Sequence, residues 1–282
     1  MRWKVISALI SSNHHVCVAF RSIENDLNLD EVYVLGTNCA DNSPTTEAAN
    51  NFIQKGVKLD SENVLGYEFM QDFKVHVKTK KGYAKKPYFT LPGTIAKDSI
   101  ADSCLACFDY TNSLADVVVG YMGAPLESNA RMDASYQTLT IRNAKGKSMV
   151  QAAINASRLN VGSEANGEGP HEKLASATVS ADSIVMSMIG KDPKENGMPL
   201  LLGEIMAFVM EKVGPKGTNF ARYSIDYHLL RNYLHILDQW GEERTKEAMP
   251  EYAHTVVNHY LNTDPTFKEL ALQINAKTKE TY

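Results

Sequence analysis

The residues of this 282-residue chain with the most specific chemistry are its four cysteines, Cys17, Cys39, Cys104 and Cys107. The Cys104-Leu105-Ala106-Cys107 segment sets two thiolates within reach of one metal centre. Two further cysteines complete the four ligands that a [4Fe–4S] cube or a Zn(Cys)4 site takes. Two other readings stand beside metal binding: a redox CxxC with two bystanders, and small buried hydrophobes. Cys39 follows the short apolar run Glu31–Leu35 and closes a Gly36-Thr37-Asn38 turn whose backbone N–H groups can point at sulfur and tune a cluster. A thioredoxin-type CxxC opens a helix after a strand. Here the polar Phe108-Asp109-Tyr110-Thr111-Asn112 follows and gives way to the strand Asp116–Val119, which weakens the disulfide reading.

Other residues offer weaker chemistry. Asp109, Tyr110, Thr111 and Asn112 could orient a cofactor or a substrate side group, or cap the turn after the cysteine loop. Gly120 and Gly123 permit close backbone approach after a strand, and Arg142 offers a rigid fork for a phosphate or carboxylate, or a surface ion pair. Tyr223, Asp226, Tyr227, His228 and Arg231 crowd two turns of one predicted helix. Asp226 or His228 could relay a proton in catalysis. The four-residue spacing of Tyr223, Tyr227 and Arg231 equally describes a packed helix face with a cation–π contact. His14, His15, His254 and His259 join no constellation.

The elements that must position these groups read as a mixed α/β body with flanking helices and a helical C-terminal portion. Strands are predicted over Glu31–Leu35, Tyr67–Phe69, Lys74–Lys78, Tyr88–Leu91, Asp116–Val119 and Leu139–Arg142, with a hairpin turn at Lys80-Lys81-Gly82. Helices are predicted over Thr45–Lys55, capped by Thr45 or Thr46, and over Met149–Leu159, Leu200–Val213, Phe220–Gln239, Pro250–Leu261 and Phe267–Ala276, with another ending in Ser22–Leu29. Residues 17–160 form the α/β domain, 161–198 a linker rich at its start in Gly, Asn and Glu, and 199–282 a helical portion packing on the same body. Residues 1–16, with a basic start and a short apolar stretch, read as a targeting segment or a gene-model artefact.

Composition sets the outer bounds. A hydrophobic share of 44% over 282 residues suffices for a core without disulfide staples. The net charge of -4 argues against nucleic acid as a partner. No apolar run is long enough to span a bilayer, and Met198–Val213, interrupted by Gly203, Glu204 and Glu211, is expected as an amphipathic core helix. A homo-oligomer is compatible with everything above.

Several segments carry a resemblance. VYVLGTNCADN (Val32 to Asn42), YEFMQDFKVHVK (Tyr67 to Lys78), SCLACFDYTNSLADVVVGYMGAP (Ser103 to Pro125) and LTIRNAKGK (Leu139 to Lys147) resemble the C-terminal region of the coenzyme F420 hydrogenase/dehydrogenase beta-subunit family. GPKGTNFARYSIDYHLLRNYLH (Gly214 to His235) resembles that family's chlorophyll-metabolising branch, and the similarity runs from about residue 18 to 262. The resemblance implies [4Fe–4S] and FAD cofactors, reduced ferredoxin as donor, a chlorophyll-type tetrapyrrole as substrate, and a plastid location. The reaction implied is reduction of the 7-hydroxymethyl group of chlorophyll a, with reduction of an 8-vinyl group as the alternative. It further implies Cys39, Cys104 and Cys107 as cluster ligands. The family's fourth cysteine aligns with His15, two residues before Cys17, so either Cys17 takes that site or residues 1–16 are not genuine. Family members also carry a long N-terminal region with further cluster cysteines and flavin-binding surface, almost none of which is expected here. A non-catalytic cluster- or pigment-binding fragment is therefore the other alternative.

Overall fold

The computed structural model of the protein describes residues 7–9, 22–23, 26, 32–127, 131–162 and 165–281. Strand β1 (Ser7–Leu9) pairs in parallel with β2 (Tyr33–Thr37), in which Val34 is fully buried. Helix α1 (Thr46–Asn51) starts where expected: Thr45 Oγ1 accepts a hydrogen bond from Ala48 N–H at 3.1 Å. A π-helical turn, Phe52–Val57, extends it to Lys58, whose left-handed φ of 65° stops the helix.

Three antiparallel strands follow, β3 (Val64–Phe69), β4 (Lys74–Thr79) and β5 (Gly82–Pro87). The third strand therefore lies immediately after the hairpin turn and not at the expected Tyr88–Leu91, where the chain makes a 3-10 turn over Tyr88–Thr90. Thr79 pairs with Gly82, so the ladder has run out by Pro87, opposite Lys74, and proline has no N–H to extend it. Strand β4 also departs from one-sided alternation. Val75 and Val77 pack with Phe52, Ile53 and Val57, while His76 on the other face is buried against Asp72, its Nε2 at 2.8 Å from Oδ2.

Helix α2 (Gly93–Ser99) and a single helical turn, Asp102–Leu105, lead to the CxxC segment. Strand β6 (Val117–Gly120) returns parallel to β2, and β7 (Thr138–Ile141) closes the sheet antiparallel to β6, giving the order β1-β2-β6-β7. Helix α3 (Ala144–Asn155) is capped by Asn143, whose Oδ1 accepts from Gly146 N–H at 2.9 Å.

The expected linker 161–198 folds. Its first residues do form a loop, which includes β8 (Gly167–Glu168), the partner of β9 (Lys216–Gly217) in a two-stranded ribbon. Beyond them lie helices α4 (Glu172–Ala181) and α5 (Ser183–Met188). Ala175, Val179 and Val185 are fully buried, because Leu174, Ala175, Thr178 and Val179 recur at helical spacing under the polar composition.

Helices α6 (Leu200–Val213), α7 (Thr218–Ala248), α8 (Glu251–Thr263) and α9 (Pro265–Thr281) complete the chain. Helix α7 is broken at Gly241, with φ 76° and ψ 173°. Helix α6 is not the core helix that its composition predicts. It buries its small residues, Gly203 and Ala207, with Gly203 against Thr90, and exposes Leu201 (73%), Phe208 (60%) and their neighbours. Among the described residues, no helix is long and apolar enough to cross a membrane.

The main core is helical, centred on Leu229, Leu230, Leu234, Ile236 and Leu237 of α7. Leu105 and Phe108, from the cysteine segment of the α/β body, reach into it. The architecture is thus a mixed α/β body joined through one core to a helical C-terminal portion, the fold class read from the sequence.

Candidate metal centre

Two loops bring three cysteines together. The first leaves the end of β2: Asn38 N–H bonds to Val119 O and Cys39 N–H to Tyr110 O at 3.0 Å. The second is the turn after Asp102–Leu105, closed by Cys107 N–H on Cys104 O at 3.2 Å. Asn42 joins them. Its backbone N–H lies 3.4 Å from Cys104 Sγ, its Nδ2 lies 3.5 Å from Cys39 Sγ, and its carbonyl accepts from Ala101 N–H at 2.9 Å. All three cysteines are thiols outside any disulfide and partly exposed. Burial pushes the Cys104 and Cys107 thiols up, and for Cys107 the neighbouring Asp109 and Cys104 add to the effect.

Helix α7 backs both loops. Asn232 Nδ2 donates to Cys104 O at 2.8 Å and to Cys107 O at 2.6 Å, and His228 Nε2 lies 2.8 Å from Cys107 O. A carbonyl only accepts, so His228 carries its proton on Nε2, and its buried Nδ1 meets no hydrogen-bond partner among the described residues. Burial, reinforced by Arg231, lowers the His228 pKa to about 4, so the ring is neutral at physiological pH. Arg231 grips Asp41 through two parallel bonds of 2.9 and 2.7 Å, while Asn232 Oδ1 accepts from its Nε and Nη2, each at 3.1 Å. Arg231 is only 1% exposed, whereas Asp41 keeps 24% exposure, so the pair sits at the edge of the core with its carboxylate still reaching water. The guanidinium also lies over the Tyr227 ring at 5.3 Å, and Tyr223 stacks on Tyr227, the packed face that the four-residue spacing describes.

The other candidate residues separate. Tyr110 is buried with its ring 5.6 Å from that of His228. Asp109 caps the following turn, accepting from Ser113 N–H at 2.9 Å. Thr111 O accepts from Arg142 Nη2 at 2.7 Å. Asn112, at a left-handed φ of 51°, packs its side chain against Gly36, and the Asn38 side chain fills the space a Cβ on Gly120 would need. Gly123, at φ 84°, lies against the first turn of α7. Asp226 faces α8 instead, accepting from Tyr260 Oη at 2.7 Å with His171 at 3.8 Å. Cys17 lies outside the described residues.

The donor chemistry suits a thiophilic centre: Asn42 bridges Cys39 and Cys104, Cys107 lies on the Cys104 turn, and a cation would favour the thiolates that burial disfavours. Among the described residues, no three ligating side chains stand close enough to hold a single metal ion. Of the residues nominated for a flavin, Thr111 and Arg142 meet each other, while Asp109, Gly120 and Gly123 lie against Ser113, Asn38 and the first turn of α7. Sequence reasoning missed Asp41, Asn42 and Asn232. The signal for Asn232 was present, a polar pair at 231–232 between Leu230 and Leu234 on a helix whose neighbours must be buried.

The family described as the C terminus of the coenzyme F420 hydrogenase/dehydrogenase beta subunit matches residues 14–166. Over 243 residues, 86% of the chain, the protein is 42% identical to the chloroplastic 7-hydroxymethyl chlorophyll a reductase of Oryza sativa subsp. japonica, covering 50% of that protein. An uncharacterized protein of Nostoc sp. is 37% identical over the same share of the chain, with 55% of its length covered. The chain thus spans about half the length of these curated relatives. Among solved structures, a chain of the F420-reducing [NiFe] hydrogenase complex from Methanosarcina barkeri gives a TM-score of 0.40 at 20% identity, covering 52% of this chain and 48% of that one, too slight a likeness to carry an argument. The family match over more than half the chain, with the reductase similarity across most of it, makes this protein a member of the coenzyme F420 hydrogenase/dehydrogenase beta-subunit family.

Proposed function

We propose that the chain carries the iron–sulfur region of a ferredoxin-dependent flavoprotein oxidoreductase of the plastid, acting on a chlorophyll-type tetrapyrrole and reducing 7-hydroxymethyl chlorophyll a to chlorophyll a. The observation that carries this reading is the bridge that Asn42 makes between Cys39 and Cys104, with Cys107 on the same turn as Cys104, in a chain 42% identical to a protein named for that activity. Cys39, Cys104 and Cys107 would hold a [4Fe–4S] cluster, with Cys17 as fourth ligand. When bound, such a cluster would supply one-electron chemistry fed by reduced ferredoxin, and FAD would supply the two-electron chemistry that the pigment needs. The chain's own contribution is to fix the two loops and keep water from their rear: Leu105 and Phe108 anchor the CxxC turn in the helical core, and Asn232 and His228 occupy its carbonyls.

The second reading is a non-catalytic module that binds cluster or pigment. Anaerobic purification with iron, sulfide and flavin analysis separates the two. About four irons per chain together with FAD supports the reductase, and iron without flavin supports the module. A colourless, iron-free protein overturns both. Supplying both pigments under reduced ferredoxin then decides the substrate, since turnover of an 8-vinyl pigment alone would reassign it.

A further inference from the structure

Neither cysteine loop is held by its own secondary structure. Cys39 lies beyond the end of a five-residue strand, and Cys104 sits in a single helical turn. Besides the direct bonds of Cys39 N–H to Tyr110 O and of Ala101 N–H to Asn42 O, a pair of adjacent residues on α7 ties them together. Arg231 holds the Cys39 loop through its fork on Asp41, and Asn232 holds the CxxC turn through both of its amide hydrogens. The two clamps form one network, because Asn232 Oδ1 accepts from Arg231 Nε and Nη2. Each residue type suits its task. A guanidinium presents two parallel donors to a carboxylate. A carboxamide can serve two carbonyls and still accept from a neighbour. The carbonyls it serves belong to the two cysteines themselves, so tying them fixes the twist of the turn and the direction of both Cα–Cβ bonds.

We propose that Arg231 and Asn232 are positioning residues for the cluster: they hold the Cys39 loop and the Cys104–Cys107 turn in the relative placement that lets three thiolates bind one centre. This rests on the reading of those cysteines as ligands, made above. The residues touch no iron and no substrate, so their effect is expected on cluster uptake and retention before any effect on turnover.

The test uses the full chain, reconstituted anaerobically with ferrous iron and sulfide, as wild type and as Asn232→Leu, Asp41→Asn and Arg231→Lys. The readings are iron and sulfide per chain, the rate of iron release to a ferrous chelator, the reduction midpoint, and the circular dichroism and thermal midpoint of the iron-free protein. Asn232→Leu and Asp41→Asn are expected to keep the iron-free fold and to release iron at least about tenfold faster, the order of effect typical of groups that orient metal ligands. Arg231→Lys, which keeps the charge but loses the fork, is expected to fall between them and wild type. Should Asn232→Leu fail to fold, Asp41→Asn, at a carboxylate still 24% exposed, decides alone. Variants that load and retain iron with the wild-type rate and midpoint would overturn the positioning role. A purely structural role would lower the thermal midpoint equally with and without iron, and that result also overturns it. A wild type that binds no iron would instead reject the ligand reading itself.

Discussion

Asp226 and His228 are two residues apart on α7 and meet opposite surroundings. His228 points at the cysteine turn, whereas Asp226 is bonded to Tyr260, and burial raises its carboxyl pKa against the lowering effects of Tyr260 and His171. A carboxyl that titrates higher in the folded chain than its ordinary ~3.9 favours folding fully below about pH 4 and loses that contribution as pH rises through the raised value. Asp226→Asn keeps an acceptor for Tyr260 and removes the titration. It is expected to match wild type near pH 4 and to exceed it at pH 7 in urea denaturation, and reductase activity surviving in that variant would remove Asp226 as a proton donor. Asp72 runs the other way. Burial pushes its pKa up, but the bond and charge of His76 and the charge of Lys85 outweigh burial and lower it. Its contribution is present above the ordinary carboxylate pKa and lost as pH falls through the lowered one. Asp72→Asn should therefore cost about 1.5–3 kcal/mol at pH 7, with the gap to wild type closing as pH falls through the lowered carboxyl pKa. At this scale the site was half legible. Cys39, Cys104 and Cys107 announce themselves by type and spacing, but Asp41 and Asn42 act through bonds to Arg231 and Cys104 across 190 and 62 residues, which leave no periodic trace.

Among the elements, the break in α7 is a backbone decision at one residue. Gly241 combines φ 76° with ψ 173°, a region closed to side-chain-bearing residues, and nothing lies within 4 Å of the place where a Cβ would stand. Gly241→Ala therefore isolates backbone strain from packing. It is expected to destabilise the protein by about 1–3 kcal/mol, seen as a fall in the thermal midpoint. The sequence reading ended this helix at Gln239, two residues before the break. It failed over 161–198. There the Gly-rich start was legible as a loop, but α4 and α5 are short, and their apolar residues acquire meaning only against α7, a tertiary partner invisible to local composition. The Tyr88–Leu91 error has a similar root: aromatic residues suit a strand, and hairpin register, not propensity, determined where the third strand lay.

For the whole molecule, the anomaly is α6. Leu200, Leu201, Leu202, Ile205, Phe208, Val209 and Val213 are all exposed on one 14-residue helix, an apolar patch larger than isolated proteins usually leave in water. Because these side chains make little core, Leu201→Glu combined with Phe208→Glu should leave the thermal midpoint within about 1 kcal/mol of wild type while lowering concentration-dependent light scattering. The opposite condition holds at α7, where the five consecutive residues His228 to Asn232 are all buried, more than a full turn of the helix. A helix enclosed on every side is finished only when the rest of the chain has gathered around it. Asn232 is made 125 residues after Cys107, an interval of roughly 6–25 s at ordinary rates of synthesis. Throughout that time the cysteine turn is without the amide that fixes its carbonyls. Under the proposed reading of these cysteines, iron delivered during translation would meet an unbacked loop, and stable loading would follow the synthesis of α7.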